Sequence, residues 1–203
     1  MKKDCTELVF IMDQSGSMNG LQGDVIGGFN AMIEKQRKQE GEVLVTTVLF
    51  NQRWTMVHDR IPISGIPPMT NKDYQPGGCT ALLDAVGDTI THILKVHRYI
   101  REEDRPEHTI VVITTDGLEN ASHDWTKGKV KELISEQKDW EFLYLGANID
   151  AAEEAGGIGI CSQRAVQYDP TPDGIAASCD KMCEFVSEVR APKKREDTKK
   201  ETK

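Results

Sequence analysis

Apolar positions along the 203 residues follow two rhythms. Residues 7–12 (ELVFIM), 43–50 (VLVTTVLF), 108–116 (HTIVVITTD) and 140–146 (WEFLYLG) are short, nearly continuous runs rich in β-branched and aromatic types. That is the pattern of strands covered on both faces. Between them, apolar residues recur every three or four positions. Val25, Ile26, Phe29, Met32 and Ile33 predict a helix over about 20–39, and Leu83, Val86, Ile90, Ile93 and Leu94 predict one beginning near Thr80. Val130, Leu133, Ile134 and Gln137 predict a third over about 124–138. NIDAAEEAGG reads as a short helix closing at glycines, AVQYD (165–169) as a last short strand, and about 172–189 as the final helix.

The links refine the topology. Asn51-Gln52-Arg53 is too short for a crossover, so WTMVHDRIPI must fold back as a hairpin, which makes it an antiparallel edge strand. The other strands alternate with helices and so should run parallel. The expected fold is α/β: a Rossmann-like, open, mostly parallel sheet of about six strands, one antiparallel edge strand, and helices on both faces. No repeat or linker divides the chain, so residues 1–190 are read as one domain and 191–203 as a charged, disordered tail.

Composition narrows the function. Hydrophobic residues are 38% and charged residues 29%, as in a soluble globular protein, and no apolar run approaches a membrane span. The net charge is −8, unevenly spread. From Arg190 onward seven basic residues face three acidic ones, so the tail is +4 and the preceding 189 residues hold −12. An acidic body argues against a nucleic-acid surface. The N-terminal apolar stretch is broken by Asp4 and Glu7 and lacks a small-residue cleavage site, so a cytoplasmic location is expected. The five cysteines form no CxxC pair and no zinc spacing; Cys179 and Cys183 share a helical face with Ile175, Met182 and Val186 and read as core packing.

The chemistry sits at the strand ends. In open α/β sheets, ligands bind outside the carboxyl ends of the strands. Asp13, in FIMDQSGSM, and Asp116, in VITTDG, each follow an apolar strand directly. PGGCTALLDA lies between them and places Thr80 at a helix start. Two carboxylates and the hydroxyls of Ser15, Ser17 and Thr80 can then share one site. All are oxygen donors, which suits Mg²⁺, Mn²⁺ or Ca²⁺ better than zinc or copper. Taken alone, Asp13, Ser15 and Ser17 would read as an Asx turn with helix capping. A nucleophile elbow needs G-x-S-x-G and a phosphate loop needs GxxxxGK[ST]; neither is present. Of the histidines, His58 falls in the third strand and His92 and His97 in a helix. Only His123 lies near Asp116 in sequence, beside Ser122 and Asp124 at a helix start. Glu119 and Asn120 read as loop residues rimming the site or solvated, Asp84 as favouring its own helix N-terminus, and Asp150 as a helix cap.

Asp13-x-Ser15-x-Ser17, Thr80 in GGCT and Asp116 in TTDG together resemble the metal-ion-dependent adhesion site of von Willebrand factor A domains, over roughly residues 5–190. The resemblance implies that Ser15, Ser17 and Thr80 coordinate the metal directly, while Asp13 and Asp116 hold its waters, Asp116 moving closer when no ligand is bound. It also implies a non-enzymatic module, binding a protein partner that donates a carboxylate to the metal. A stand-alone member without a leader is most similar to bacterial von Willebrand A proteins, whose partners include AAA+ ATPases and stress-response complexes. A metal-assisted hydrolase or phosphatase using the same cation is the alternative.

Overall fold

The computed structural model describes residues 1–147 and 149–191; the tail expected over 191–203 lies outside the described residues beyond its first position. Six strands form one sheet: β1 (Lys2–Asp13), β2 (Glu42–Phe50), β3 (Trp54–Pro62), β4 (Pro106–Thr115), β5 (Trp140–Ala147) and β6 (Ala165–Tyr168). Their order is β3-β2-β1-β4-β5-β6. All neighbours pair in parallel except β2 and β3, which form the antiparallel hairpin that the three-residue link requires. The expected fold class is therefore the observed one.

Helices α1 (Gln22–Arg37), α2 (Leu82–Tyr99), α3 (Lys127–Glu136), α4 (Ala151–Gly157) and α5 (Pro172–Arg190) complete the layers. The central strands alternate between two cores because successive side chains point to opposite faces. Leu8, Phe10 and Met12 of β1 pack with Phe29 and Met32 of α1 and Met182 and Val186 of α5. Val9 and Ile11 face the other way, with Leu83, Val86 and Ile90 of α2, Val130 of α3 and Ala155 of α4. Cys183 lies in the first core and Cys179 packs against it, as the periodicity predicts.

Two boundaries differ most from the sequence reading. β1 begins at Lys2 instead of residue 7, because its polar N-terminal part still pairs with β4 across an irregularity. α3 begins at Lys127 instead of about 124: Thr126 is its N-cap and its side chain accepts the Lys129 N–H, so His123 does not sit at a helix start. Asp150 does cap α4, accepting the Glu153 N–H at 3.0 Å. Among the described residues no helix is long and apolar enough to cross a membrane.

Candidate metal centre

β1 and β4 are adjacent and in register, Met12 opposite Thr114, so the residues that follow them emerge side by side. Asp13 and Asp116 are thereby brought together, both almost fully buried. Beyond Asp13 the Ser15 N–H returns to Asp13 Oδ1 at 2.7 Å, closing an Asx turn that leads into a single 3₁₀ turn at Gly16–Met18. This tight path places the Ser15 and Ser17 hydroxyls 3.0 Å apart. Ser17 Oγ donates to Asp116 Oδ1 at 2.6 Å, while Thr115 Oγ1 donates to Asp13 Oδ2 at 2.6 Å. Asp13, Ser15, Ser17 and Asp116 thus form one hydrogen-bonded cluster, with Ser15 buried and Ser17 exposed at its lip.

Thr80 arrives from the loop before α2. The Gly16 N–H donates to Gly78 O at 3.0 Å and the Gly77 N–H to Gln14 O at 2.9 Å, which ties the GGCT segment to the serine turn. Gly78 has φ +83, and a Cβ there would collide with the Gln52 amide, so this approach requires glycine. Thr80 is buried and held on both backbone groups: its N–H donates to Asn120 Oδ1 at 2.9 Å and its carbonyl accepts the Asn120 N–H at 3.0 Å. A Cβ placed on Gly117 would lie 3.8 Å from both Ser17 Oγ and Thr80 Oγ1. The missing side chain at 117 therefore leaves open the space between the hydroxyls of two separate segments.

Burial pushes the Asp13 carboxyl above its usual range; the hydrogen bonds from Thr115 and Ser15 offset part of that rise, and the neighbouring Asp116 charge adds to it. The site concentrates negative charge and hydroxyl oxygens without a cation among its own side chains. Among the described residues, no three of His, Cys, Asp and Glu cluster as metal ligands. Two carboxylates plus three hydroxyls make an all-oxygen donor set of the kind that divalent cations use.

Several neighbours play parts the sequence did not disclose. Thr115 orients Asp13, and Tyr74, fully buried, donates to the Asp13 carbonyl at 2.5 Å. Asn120 locks Thr80 instead of simply rimming the mouth. Glu119 is also not a free rim residue, since both of its oxygens accept hydrogen bonds. Asp84 sits in the first turn of α2, as expected, and also accepts the N–H groups of His123, Asp124 and Trp125 across the gap. These ties depend on long-range register, and no local motif announces them. His92 and His97 pair with Asp59 and Glu7, away from the cluster.

No family model and no curated protein matches the chain. Solved structures do. A zinc-occupied form of proximal thread matrix protein 1 from the mussel byssus, described as holding the metal in its MIDAS motif, aligns over 89% of this chain with TM-score 0.62 and 14% identity. This chain covers 45% of that protein, so it spans less than half its length. The vWF domain of the type V pili tip protein from Porphyromonas gingivalis aligns over 92% of this chain and 96% of its own, with TM-score 0.64 and 9% identity. A pilus adhesin of Lactobacillus rhamnosus GG, in an open conformation, aligns over 93% of this chain and 30% of its own, with TM-score 0.68 and 12% identity. The chain has the von Willebrand factor A fold.

Proposed function

We propose that the chain is a non-enzymatic protein-binding module that works through a divalent cation. Ser15, Ser17 and Thr80 would hold the ion by their hydroxyls, with Asp13 and Asp116 beside them; Mg²⁺ is the expected metal, with Mn²⁺ and Ca²⁺ as chemical equivalents. When bound, the cation supplies a Lewis-acidic point to which a partner's carboxylate can add the charge that neutral hydroxyls do not provide. One observation carries the reading. Three chain segments place five oxygen-bearing side chains at one sheet end, with glycine at 117 keeping the space between the Ser17 and Thr80 hydroxyls clear. The zinc-occupied site of the mussel protein, on the same fold, supports it.

The partner is read as a protein with an exposed acidic residue; a bacterial setting beside an AAA+ ATPase or a stress-response complex suits a module of this type. A cytoplasmic setting is part of the same reading. The test is affinity capture from the source lysate with Mg²⁺ or EDTA, using wild type and Thr80→Ala. Proteins held only by the wild type with metal are the expected result. Equal capture in all four conditions would refute a metal-bridged interface. Turnover of generic ester or phosphate substrates, abolished in Asp116→Ala, would establish the hydrolase instead.

A further inference from the structure

Glu119 lies three positions beyond Asp116, is half-buried, and spends all its acceptor capacity inside the protein. Oε1 accepts the N–H groups of Ala121 and Ser122 at 2.8 and 2.7 Å, which closes a turn within its own loop. Oε2 accepts the Leu83 N–H at 2.9 Å and the Ser122 hydroxyl at 2.8 Å. Leu83 is the second residue of α2, so its amide is one of the unsatisfied donors of a helix first turn. α2 follows Thr80 directly, and the loop follows Asp116. The Oε2–Leu83 bond therefore joins the two segments that bring Thr80 and Asp116 to the site. Asn120 fastens the same junction at Thr80, and Asp84 fastens it one turn along the helix, through the N–H groups of residues 123–125.

We infer, on the basis of the metal-binding reading above, that Glu119 is a positioning residue of the cation site. It fixes the separation of the Thr80 hydroxyl and the Asp116 carboxylate and thereby sets the affinity for the ion. Two physical points support this assignment. A small hard cation tolerates little error in oxygen placement, so a junction braced by charge-assisted hydrogen bonds is worth more to affinity than to the fold as a whole. The four donors also occupy the lone pairs of the Glu119 carboxylate, so it is committed to the junction and not free to act as a ligand.

The bonding pattern singles out Glu119→Gln as the informative substitution. In the native pose the amide oxygen can keep the Ala121 and Ser122 N–H groups, but the amide nitrogen then faces the Leu83 N–H, two donors opposed. The turn survives and the bridge is lost. The flipped pose would oppose the amide nitrogen to two N–H donors instead of one, so the first pose is the one adopted.

The experiment is Mn²⁺ titration of the purified protein, followed by water-proton relaxation. It compares wild type, Glu119→Gln and Glu7→Gln, with melting temperatures in EDTA recorded alongside. Glu7 is buried near the middle of β1, six residues before Asp13, and pairs with Arg60, so its substitution weakens the fold without touching the site. The expected result is a Kd for Glu119→Gln weaker by about 10- to 100-fold, the range for outer partners of metal ligands, with Glu7→Gln close to wild type. Unchanged affinity in Glu119→Gln, or equal weakening in both variants, would overturn the positioning role while leaving the metal reading intact. A wild type that takes up no Mn²⁺ would overturn the metal reading itself, and this inference with it.

Discussion

Ser17 and Asp116, 99 positions apart in the chain, meet in a 2.6 Å hydrogen bond. The hydroxyl donates to one carboxylate oxygen, so Asp116 does two separable things: it accepts a hydrogen bond, and it brings a negative charge to a site that already contains Asp13.

Asp116→Asn separates them. The amide oxygen still accepts from Ser17, so the metal-free protein should melt within a few degrees of wild type, a loss of about 1 kcal/mol or less. The charge that attracts a cation is gone. Wild type should gain about 2.7 kcal/mol at a metal concentration 100 times its Kd, and the variant should gain much less at the same concentration. Thermal melts with MgCl₂ and with EDTA check this. An identical metal-induced rise in both proteins would remove Asp116 from the site.

Gly87 of α2 lies flat beneath the indole of Trp125: a Cβ there would sit 2.1 Å from the ring. The same indole donates to Asp88 Oδ1 at 2.9 Å, and Trp54 of the edge strand donates to Asp88 Oδ2 at 2.8 Å. Gly87→Ala should therefore force the Trp125 ring off its carboxylate, at an overpacking cost of about 1–3 kcal/mol despite the better helix propensity of alanine. Urea unfolding followed by tryptophan fluorescence measures it. A stabilised variant would mean that the ring moves aside freely.

Much of this molecule was legible in the sequence because its signals are local. VLVTTVLF and the three residues after it specify a strand and a hairpin without outside information, and the observed strand and link agree with them. The apolar spacing of Val25 to Ile33 likewise places α1 to within a few residues. Asp13 and Asp116 were legible as a pair because each ends an apolar run, and parallel strands place such ends together.

What escaped is non-local. Glu119, Asn120 and Asp84 look like ordinary polar loop or first-turn residues, and only the docking of the loop after β4 onto α2 gives their oxygens N–H partners. Glu7 also escaped: a glutamate inside a strand looks solvent-facing until Arg60 and His97 arrive from β3 and α2. α3 began later than its apolar spacing suggested because residues 123–125 give their N–H groups to Asp84 and not to a helical turn.

Thiol chemistry gives a third test. Cys79 and Cys161 are exposed, Cys5 and Cys183 buried, and Cys179 half-buried beside Gly28. Burial pushes the Cys179 thiol up to about 11, with the Cys183 sulfur adding to the rise. Since the thiolate is the reactive form, native protein at pH 8 should take up about two equivalents of a thiol reagent quickly and the remainder only on unfolding. The folded state also holds the Cys179 proton more tightly than the unfolded chain does. Its contribution to stability is complete below pH 9 and is lost as the pH rises through about 11. Rapid labelling of Cys179 at pH 8, mapped by mass spectrometry, would contradict this packing.

Near the middle of β1, Glu7 is fully buried, and Arg60 Nε reaches both of its oxygens, at 2.8 and 3.1 Å. Arg60 holds φ +52, a strained value for a residue with a side chain, and the β2–β3 register is irregular nearby. The distortion directs the guanidinium inward from an edge strand. Arg60→Ala would relieve little of the strain, since alanine also disfavours positive φ, and would leave Glu7 with only His97 at 3.3 Å. The expected loss is about 3–5 kcal/mol, the cost of stranding one member of a buried ion pair. Adding Glu7→Gln to Arg60→Ala should recover part of that loss, because the buried charge goes with its partner. Urea midpoints of the two single variants and the double variant, at pH 7, close the cycle. An Arg60→Ala cost below about 1 kcal/mol would mean that the pair is solvated and ordinary, and full additivity in the double variant would mean that the two residues do not act on each other.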